Sequence, residues 1–428
     1  MSNTVSISSI TLSAENSTYA VRTVLEEKLK SKATLSNDDP FIVADLRAVT
    51  QRLEEWREHL PMVEPFYAVK CNPDPEIIKI FCAAGIGFDC ASQEEMEQTL
   101  KHGVSPSKII FANVVKSTVH LRCAKKLNVR LMTFDNVELY KIQKHYPEAQ
   151  AVIRILIEDT KAEYSLSDKA GAPMSSVSSL LQVAKTLGID VVGVSFHVGC
   201  RCFDPNSYRN ALTQAREVFE LGATYGYQFH TLDIGGGFPG DKKTDGSIDI
   251  VASAIKEELK AQFPSNVRVI AEPGRYLVAP AYTLATCVIG RQLREEWQVS
   301  SKFLDLLHQP NRTWMYYLNE GLYGSFSRVP SKLLTVKPKI LQYNGEFIYT
   351  PDCAFEEQLL DTPRFESVIW GPTCDTTDCL FKTIVIPELK VNDWLVFESM
   401  GAYSTCASTE FNGFKKTEII YINTPKFK

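Results

Sequence analysis

Basic charge is scarce in this 428-residue chain: 46 Lys and Arg stand against 51 Asp and Glu, a formal net charge of -5. That balance offers no positive stripe to phosphate backbones or anionic lipid, so neither nucleic acid nor a membrane surface is an expected partner. Long apolar runs are missing as well. No stretch approaches bilayer-spanning length, and the first residues, Met1-Ser-Asn-Thr-Val-Ser-Ile-Ser-Ser, lack the basic start and apolar core of a secretory signal. The expected compartment is the cytoplasm. The eleven Cys are scattered, and an odd number in a large chain does not predict a disulfide framework. Cys200-Arg-Cys202 is too closely spaced for a zinc knuckle and has no second Cys/His pair to complete one, so no metal is expected. Fixed-period repeats and low-complexity tracts are also lacking.

What the chain has is core: 44% of its residues are hydrophobic, enough at this length for two domains. From residue 65 onward, short apolar runs alternate with amphipathic stretches. Strands are predicted at 66–70, 87–91, 108–113, 130–135, 151–157, 191–198, 231–237 and 267–273, with helical spacing between them, as at 206–226. Eight alternations predict an α/β fold, a closed (β/α)8 TIM-like barrel over 41–280, led in by the run Phe41-Ile-Val-Ala-Asp-Leu. After about residue 280 the period changes to short β-rich runs at 281–289, 314–318, 347–350, 368–370, 393–398 and 418–422. These predict an antiparallel β-sandwich or barrel domain of residues 281–428, joined by 1–40. Segments 240–247 and 293–309 are the candidate mobile loops.

In such a barrel the C-terminal ends of the strands share one mouth. The run Pro65-Phe-Tyr-Ala-Val-Lys70-Cys-Asn puts a primary amine there. A half-buried ammonium has its charged form disfavoured, which predicts a lowered pKa and an amine ready to form a Schiff base. A Lys that merely leaves the sheet for water is the alternative. The other strand ends bring Asp89, Asn113, Asp135, Arg154, His197, Gly235-Gly-Gly-Phe-Pro-Gly240 and Glu272-Pro-Gly-Arg275. Glycine-rich backbone after the seventh strand, with an Arg after the eighth, suits a phosphate. Lys, carboxylate and phosphate cradle together are what pyridoxal 5'-phosphate requires. A lone strand His such as His197 packs on the ring face or is a satisfied core residue.

Phe66-Tyr-Ala-Val-Lys70-Cys-Asn, Gly87-Phe-Asp-Cys-Ala-Ser92, Val194-Ser-Phe-His197-Val-Gly, the two glycine loops, Trp370-Gly-Pro-Thr-Cys374-Asp375 and Met400-Gly-Ala-Tyr403 occur in order between about residues 40 and 414. In these motifs the chain resembles the eukaryotic ornithine decarboxylases, pyridoxal-phosphate enzymes of polyamine biosynthesis that work as homodimers with shared active sites. The resemblance implies a carboxy-lyase making putrescine and CO2 from L-ornithine. It implies that Lys70 carries the cofactor as an internal aldimine, Glu272 binds the pyridine nitrogen and His197 stacks on the ring. Asp89 and Arg154 would support Lys70, and Gly237, Gly274, Arg275 and Tyr403 would hold the phosphate. It implies that Cys374, the proton donor, and Asp375, a ligand of the distal amine, come from the partner subunit, with Lys169 and Asp378 as an intersubunit ion pair. An antizyme-like regulator is a possible partner of such proteins.

Three departures fall near this site. Cys200-Arg201-Cys202 stands where the family has a small glycine-containing turn with a phosphate-binding hydroxyl, so Cys200 supplies a poorer donor. At positive φ, Arg201 would cost about 1 kcal/mol relative to Gly, or its guanidinium adds a phosphate contact. Glu320 replaces the family's shorter Asp at the distal amine and moves the carboxylate by about 1.5 Å, one carbon–carbon bond. Thr376-Thr377 replaces Gly-Leu, and segment 332–367 is longer than usual. A decarboxylase of another basic amino acid, such as lysine, and a non-catalytic regulator like the antizyme inhibitors are therefore the rival expectations.

Overall fold

The structure, a computed structural model, describes residues 17–240, 248–296, 311–351, 353–354 and 357–423. Segments 241–247 and 297–309 of the expected mobile loops lie outside these residues.

Eight parallel strands close into a barrel: β2 (Val63–Ala68), β3 (Gly87–Cys90), β4 (Ile109–Phe111), β5 (Leu131–Phe134), β6 (Gln150–Arg154), β7 (Asp190–Ser195), β8 (Thr231–Asp233) and β9 (Arg268–Ala271). Every predicted barrel strand is present. Each is covered by helices outside and by side chains inside, which is why each reads as a short continuous apolar run. Phe66, Ile110, Leu131, Val152, Val192 and Ile270 fill the interior. All eight stop earlier than predicted, and at two of them the early stop shapes the site. β2 ends at Ala68, and Lys70 sits on the tight turn Val69–Cys71. β8 ends at Asp233 because Gly235 and Gly237 take φ of 63° and 99°, which no strand holds.

The lead-in run forms β1 (Phe41–Asp45), but it is not part of the barrel. It pairs antiparallel with β10 (Tyr282–Glu296) and parallel with β17 (Glu418–Ile422) in the second domain. Fully buried on both faces, its apolar run looks the same in either sheet. The barrel therefore begins at α2 (Leu46–His59), whose N-terminus is capped by the Asp45 carboxylate accepting from the Arg47 N–H, 3.1 Å. α1 (Ser17–Leu35) lays Leu25 and Leu29 on Phe41, Val43, Ala285 and Trp394, so it belongs to the second domain.

That domain was expected to be antiparallel and is a nine-stranded mixed sheet. Its order is β13 (Glu346–Phe347), β12 (Pro338–Tyr343), β16 (Trp394–Phe397), β10, β11 (Asn311–Leu318), β14 (Arg364–Trp370), β15 (Cys379–Pro387), with β1 and β17 on a branch. β11 and β14 run parallel, as β1 and β17 do. A half-buried strand carries the same alternation whichever way its neighbour points, so sequence pattern does not separate the two. β12 and β15 were not anticipated.

The domains meet behind Lys70. The Tyr403 N–H donates to the Cys71 carbonyl, 3.0 Å, and Asn72 Nδ2 to that of Gly401, 2.9 Å. The Asp74 carboxylate accepts from the hydroxyls of Tyr282, 2.5 Å, and Tyr421, 2.7 Å. Among the described residues no helix is long and apolar enough to cross a membrane.

Candidate active site

Lys70 stands in the barrel mouth, where its ammonium pairs with the Asp89 carboxylate of β3. Asp89 is 1% exposed, and its other oxygen has no hydrogen-bond partner. A buried carboxylate with one lone contact is costly unless a cation stays beside it. The lowered pKa expected for Lys70 is not found. Burial opposes the ammonium, but the charges of Asp89 and then Glu272 outweigh it and push the pKa up, while the side chain stays 47% exposed at the mouth. Apolar walls alone would have done the opposite.

Glu272 follows β9 and stands close enough to Asp233, the last residue of β8, for each to shift the other's titration. Burial first, then the negative charges of Asp233 and Asp89, hold the Glu272 carboxyl well above its usual range. Asp233 is pushed up to about 6 by burial, against the Gly235 N–H it accepts at 2.9 Å. Two neighbouring buried acids titrate as a pair, and removing the second proton is the harder step. His197, after β7, accepts the Gly199 N–H on Nδ1, 3.1 Å, which leaves the ring proton on Nε2. Burial, then the cations Arg154 and Lys70, lower its pKa to about 3, so the imidazole is neutral.

Lys70, His197, Cys200, Glu272, Arg275 and Tyr403 line one cavity with the backbone of Gly236, Gly237 and Gly274. At Gly237 a Cβ would lie 2.2 Å from the Gly199 carbonyl oxygen, so the two loops meet with no room for a side chain. Arg275 opens the short helix Arg275–Val278, and its guanidinium lies 5.1 Å from the Tyr403 ring centre. From behind, buried Arg52 of α2 ties both glycine loops together, donating Nε to the Tyr276 carbonyl at 2.9 Å and Nη2 to that of Gly240 at 2.7 Å. The cavity thus offers an amine for an aldehyde, a protonated carboxyl for a ring nitrogen, and a cation with bare backbone for a phosphate. That donor set fits pyridoxal phosphate.

The comparisons agree with this chemistry. Residues 46–279 match the model of the pyridoxal-dependent decarboxylase, pyridoxal binding domain. Ornithine decarboxylase of Schizosaccharomyces pombe is 40% identical over 401 residues, 93% of this chain and 87% of the relative. Antizyme inhibitor 2 of Xenopus laevis is 41% identical over 412 residues, 94% and 85% of the two chains. The arginine decarboxylase of Paramecium bursaria Chlorella virus superposes with a TM-score of 0.82 at 34% identity, covering 94% of this chain and all of the other.

The chain belongs to the eukaryotic ornithine decarboxylase family. Like the family's other pyridoxal-dependent decarboxylases, it uses pyridoxal phosphate, and its reaction is a decarboxylation of a small molecule.

The remaining family positions lie elsewhere. Cys374 is exposed on the second domain, its N–H donating to Asn412 Oδ1 at 3.1 Å. Asp375 accepts from the Tyr323 hydroxyl and from the Thr377 N–H, 2.8 Å, and the Tyr323 bond lowers its pKa. Glu320 is only 6% exposed, and its carboxylate accepts from the Gly321 N–H, 2.9 Å, the Ser325 hydroxyl, 3.0 Å, and the Thr417 hydroxyl. Burial raises its pKa. Asp378, 1% exposed, accepts from the Leu322 N–H, 2.7 Å, and from Thr373, while Lys169 is exposed on a barrel loop. Of the other strand ends, Asp135 accepts the Gly171 N–H and so ties its loop to the one after β6, while Asn113 accepts the Val115 N–H within its own loop.

Arg201 does take positive φ, 56°. Its guanidinium is not among the groups that line the cavity; Nε lies 2.7 Å from Glu163 Oε2 and the group 5.9 Å from the Phe203 ring centre.

Asp233 is the site residue that sequence reasoning missed. An Asp two residues before a glycine run reads as turn chemistry, although its place at a barrel strand end was the available signal. In the cofactor-free protein its proton is held more tightly folded, about 6, than unfolded, about 3.9. Its contribution to stability is therefore greatest below about pH 4 and falls as pH rises through 6. Asp233→Asn is expected to flatten the urea midpoint between pH 4 and 7 relative to wild type. Superimposable pH profiles would show that folding does not raise the Asp233 pKa.

Proposed function

We propose that the chain decarboxylates L-ornithine to putrescine and CO2, as a homodimer in which each subunit completes the other's site. One observation carries this reading. Lys70, Glu272 and the glycine-loop backbone share the barrel cavity, whereas Cys374, exposed, and Asp375, half-buried, stand on the second domain and do not line it. A second copy of the chain is the simplest source of the missing thiol and carboxylate.

Bound pyridoxal phosphate supplies an electron sink for the pair released as the Cα–carboxyl bond breaks. Lys70 holds it through the amine, with Asp89 and Arg154 fixing the charge around that amine. Glu272, its carboxyl pKa raised by burial and by the charge of Asp233, keeps a proton at the ring nitrogen. His197, neutral, packs on the ring without adding charge there. Gly237, Gly274, Arg275, Cys200 and Tyr403 hold the phosphate. Cys374 of the partner subunit returns a proton to Cα, and Asp375 of the partner subunit holds the distal ammonium. A lowered carboxyl pKa keeps that group ionised for a cation.

A second substrate is favoured by Glu320, whose oxygens are engaged by Gly321, Ser325 and Thr417. A distal wall held in this way suits a different basic amino acid. Glu320→Asp, which shortens the side chain by one methylene, is expected to move the ornithine-to-lysine turnover ratio by about 10-fold or more. An unchanged ratio would remove Glu320 from substrate contact. The deciding measurement is CO2 release from ornithine, lysine, arginine and diaminopimelate by protein loaded with pyridoxal phosphate. Ornithine should be turned over best. Failure to take up the cofactor, with no CO2 from any of the four, would replace the enzyme reading with that of a binding-only regulator.

A further inference from the structure

The turn between β14 and β15 carries Cys374 and Asp375, and its two limbs are held in different ways. At its base and toward β15 the backbone bonds to itself: the Gly371 N–H donates to the Asp378 carbonyl, 2.8 Å, the Asp378 N–H to that of Asp375, 3.0 Å, and the Cys379 N–H to that of Thr377, 2.7 Å. In the other limb, residues 372–374 make no backbone–backbone hydrogen bond among the described residues. What reaches that limb is the carboxylate of Asp378, a residue only 1% exposed. Its Oδ2 accepts from the Thr373 N–H, 3.1 Å, and from the Thr373 hydroxyl, 2.7 Å, while Oδ1 accepts from the Leu322 N–H, 2.7 Å. A Cβ on Gly371 or Gly321 would stand 2.3 or 2.5 Å from Oδ1, so both backbones close on the carboxylate where no side chain fits. One group thus joins the limb that leads to the thiol with the segment of Tyr323, whose hydroxyl donates to Asp375. The Cys374 N–H itself is taken by Asn412 Oδ1, 3.1 Å.

We propose that Asp378 is a positioning residue for the proton donor: its buried carboxylate fixes Thr373 and, through that residue, aims the Cys374 thiol at the partner's cavity. The inference rests on the shared site proposed above. Asp378 touches neither cofactor nor substrate. Thr373 directly precedes Cys374, so a rotation of the Thr373 backbone turns the thiol with it. Without Oδ2 as acceptor, the Thr373 N–H and hydroxyl turn toward water, and no backbone bond of the limb opposes the movement. Asp375 is spared, because the Thr377 N–H, 2.8 Å, and the Tyr323 hydroxyl still hold its carboxylate. The thiol therefore moves while the ligand of the distal amine stays.

Asp378→Asn keeps the side chain's size and one acceptor oxygen but turns the other into a donor. In the cofactor-free full-length protein, amide exchange read by mass spectrometry should quicken about 10-fold or more in peptides spanning 371–375 and match wild type in β14 and β15. In the loaded protein, amine formation at saturating ornithine should fall about 10- to 100-fold, with the substrate KM and the cofactor affinity within about 2-fold of wild type. A proton that misses Cα goes to the cofactor instead, and hydrolysis by one water then releases an aldehyde and leaves the substrate's amino group on the cofactor. The share of turnovers ending in aldehyde should accordingly rise. Thr373→Val, which removes only the hydroxyl, should shift that share the same way by less and add nothing in the Asp378→Asn background; it carries the same test if Asp378→Asn does not fold. An unchanged aldehyde share in these variants overturns the proposal, and a loosened dimer with a normal share would make Asp378 a contact between subunits instead. Cys374→Ala is the control on the shared site. If it too leaves the aldehyde share unchanged, the thiol is not the proton donor and the shared-site reading is the one that fails.

Discussion

Lys70→Ala is expected to lower CO2 release by about 10³-fold or more at saturating cofactor, because no other amine in the cavity can take its place. The variant removes two things at once, a nucleophile and the cation beside Asp89, and Lys70→Arg separates them. Arg keeps the positive charge against the buried carboxylate but stays protonated and cannot act as a nucleophile. Lys70→Arg should therefore melt close to wild type and still be inactive, whereas Lys70→Ala should also lose stability by leaving Asp89 unpaired. Activity above about a tenth of wild type in the Arg variant would mean that the residue serves only as a counter-ion. The raised pKa gives this experiment its point: in the cofactor-free protein the amine is held as an ammonium, and binding must displace its proton.

Cys374→Ala is the second large effect. Loss of a positioned proton donor lowers amine formation by about 10² to 10⁴-fold, even though the residue is exposed and far in sequence from the cavity groups. If each site draws Lys70 from one chain and the thiol from its partner, as proposed, mixing the two inactive variants is expected to restore function. Random exchange makes half of the dimers heterodimers, each with one intact site of two, so about a quarter of wild-type activity should return. No recovery on mixing, with exchange verified by mass, would sink the shared-site model.

The barrel was legible because each strand is sealed on both sides and ends on a chemical group. Of those ends, Lys70, His197, Glu272 and the glycine loops line one cavity and Asp89 pairs with Lys70, whereas Asn113 and Asp135 bond to loop backbone. What was not legible depends on partners distant in sequence. The protonation of Lys70 was inverted by carboxylates on other strands, and the bond between Glu320 and Thr417 joins residues 97 apart. β1 was misplaced for a related reason, since an apolar run does not name the sheet it joins. Arg201 shows the other side of this limit. Its strain was foreseeable from residue type, but the carboxylate beside it came from another loop.

The bonds behind Lys70 also bear on how such proteins can be recombined. Cys71, Asn72 and Asp74 are barrel residues, but their partners Tyr403, Gly401, Tyr282 and Tyr421 belong to the second domain. A chimera joined near residue 280 would carry over every group of the cavity floor and yet replace the shelf on which the lysine stands. Tyr403 would be exchanged with it, taking part of the cradle. The seam between the domains is thus no place to cut: the smallest unit that can be exchanged without moving the reactive amine includes both.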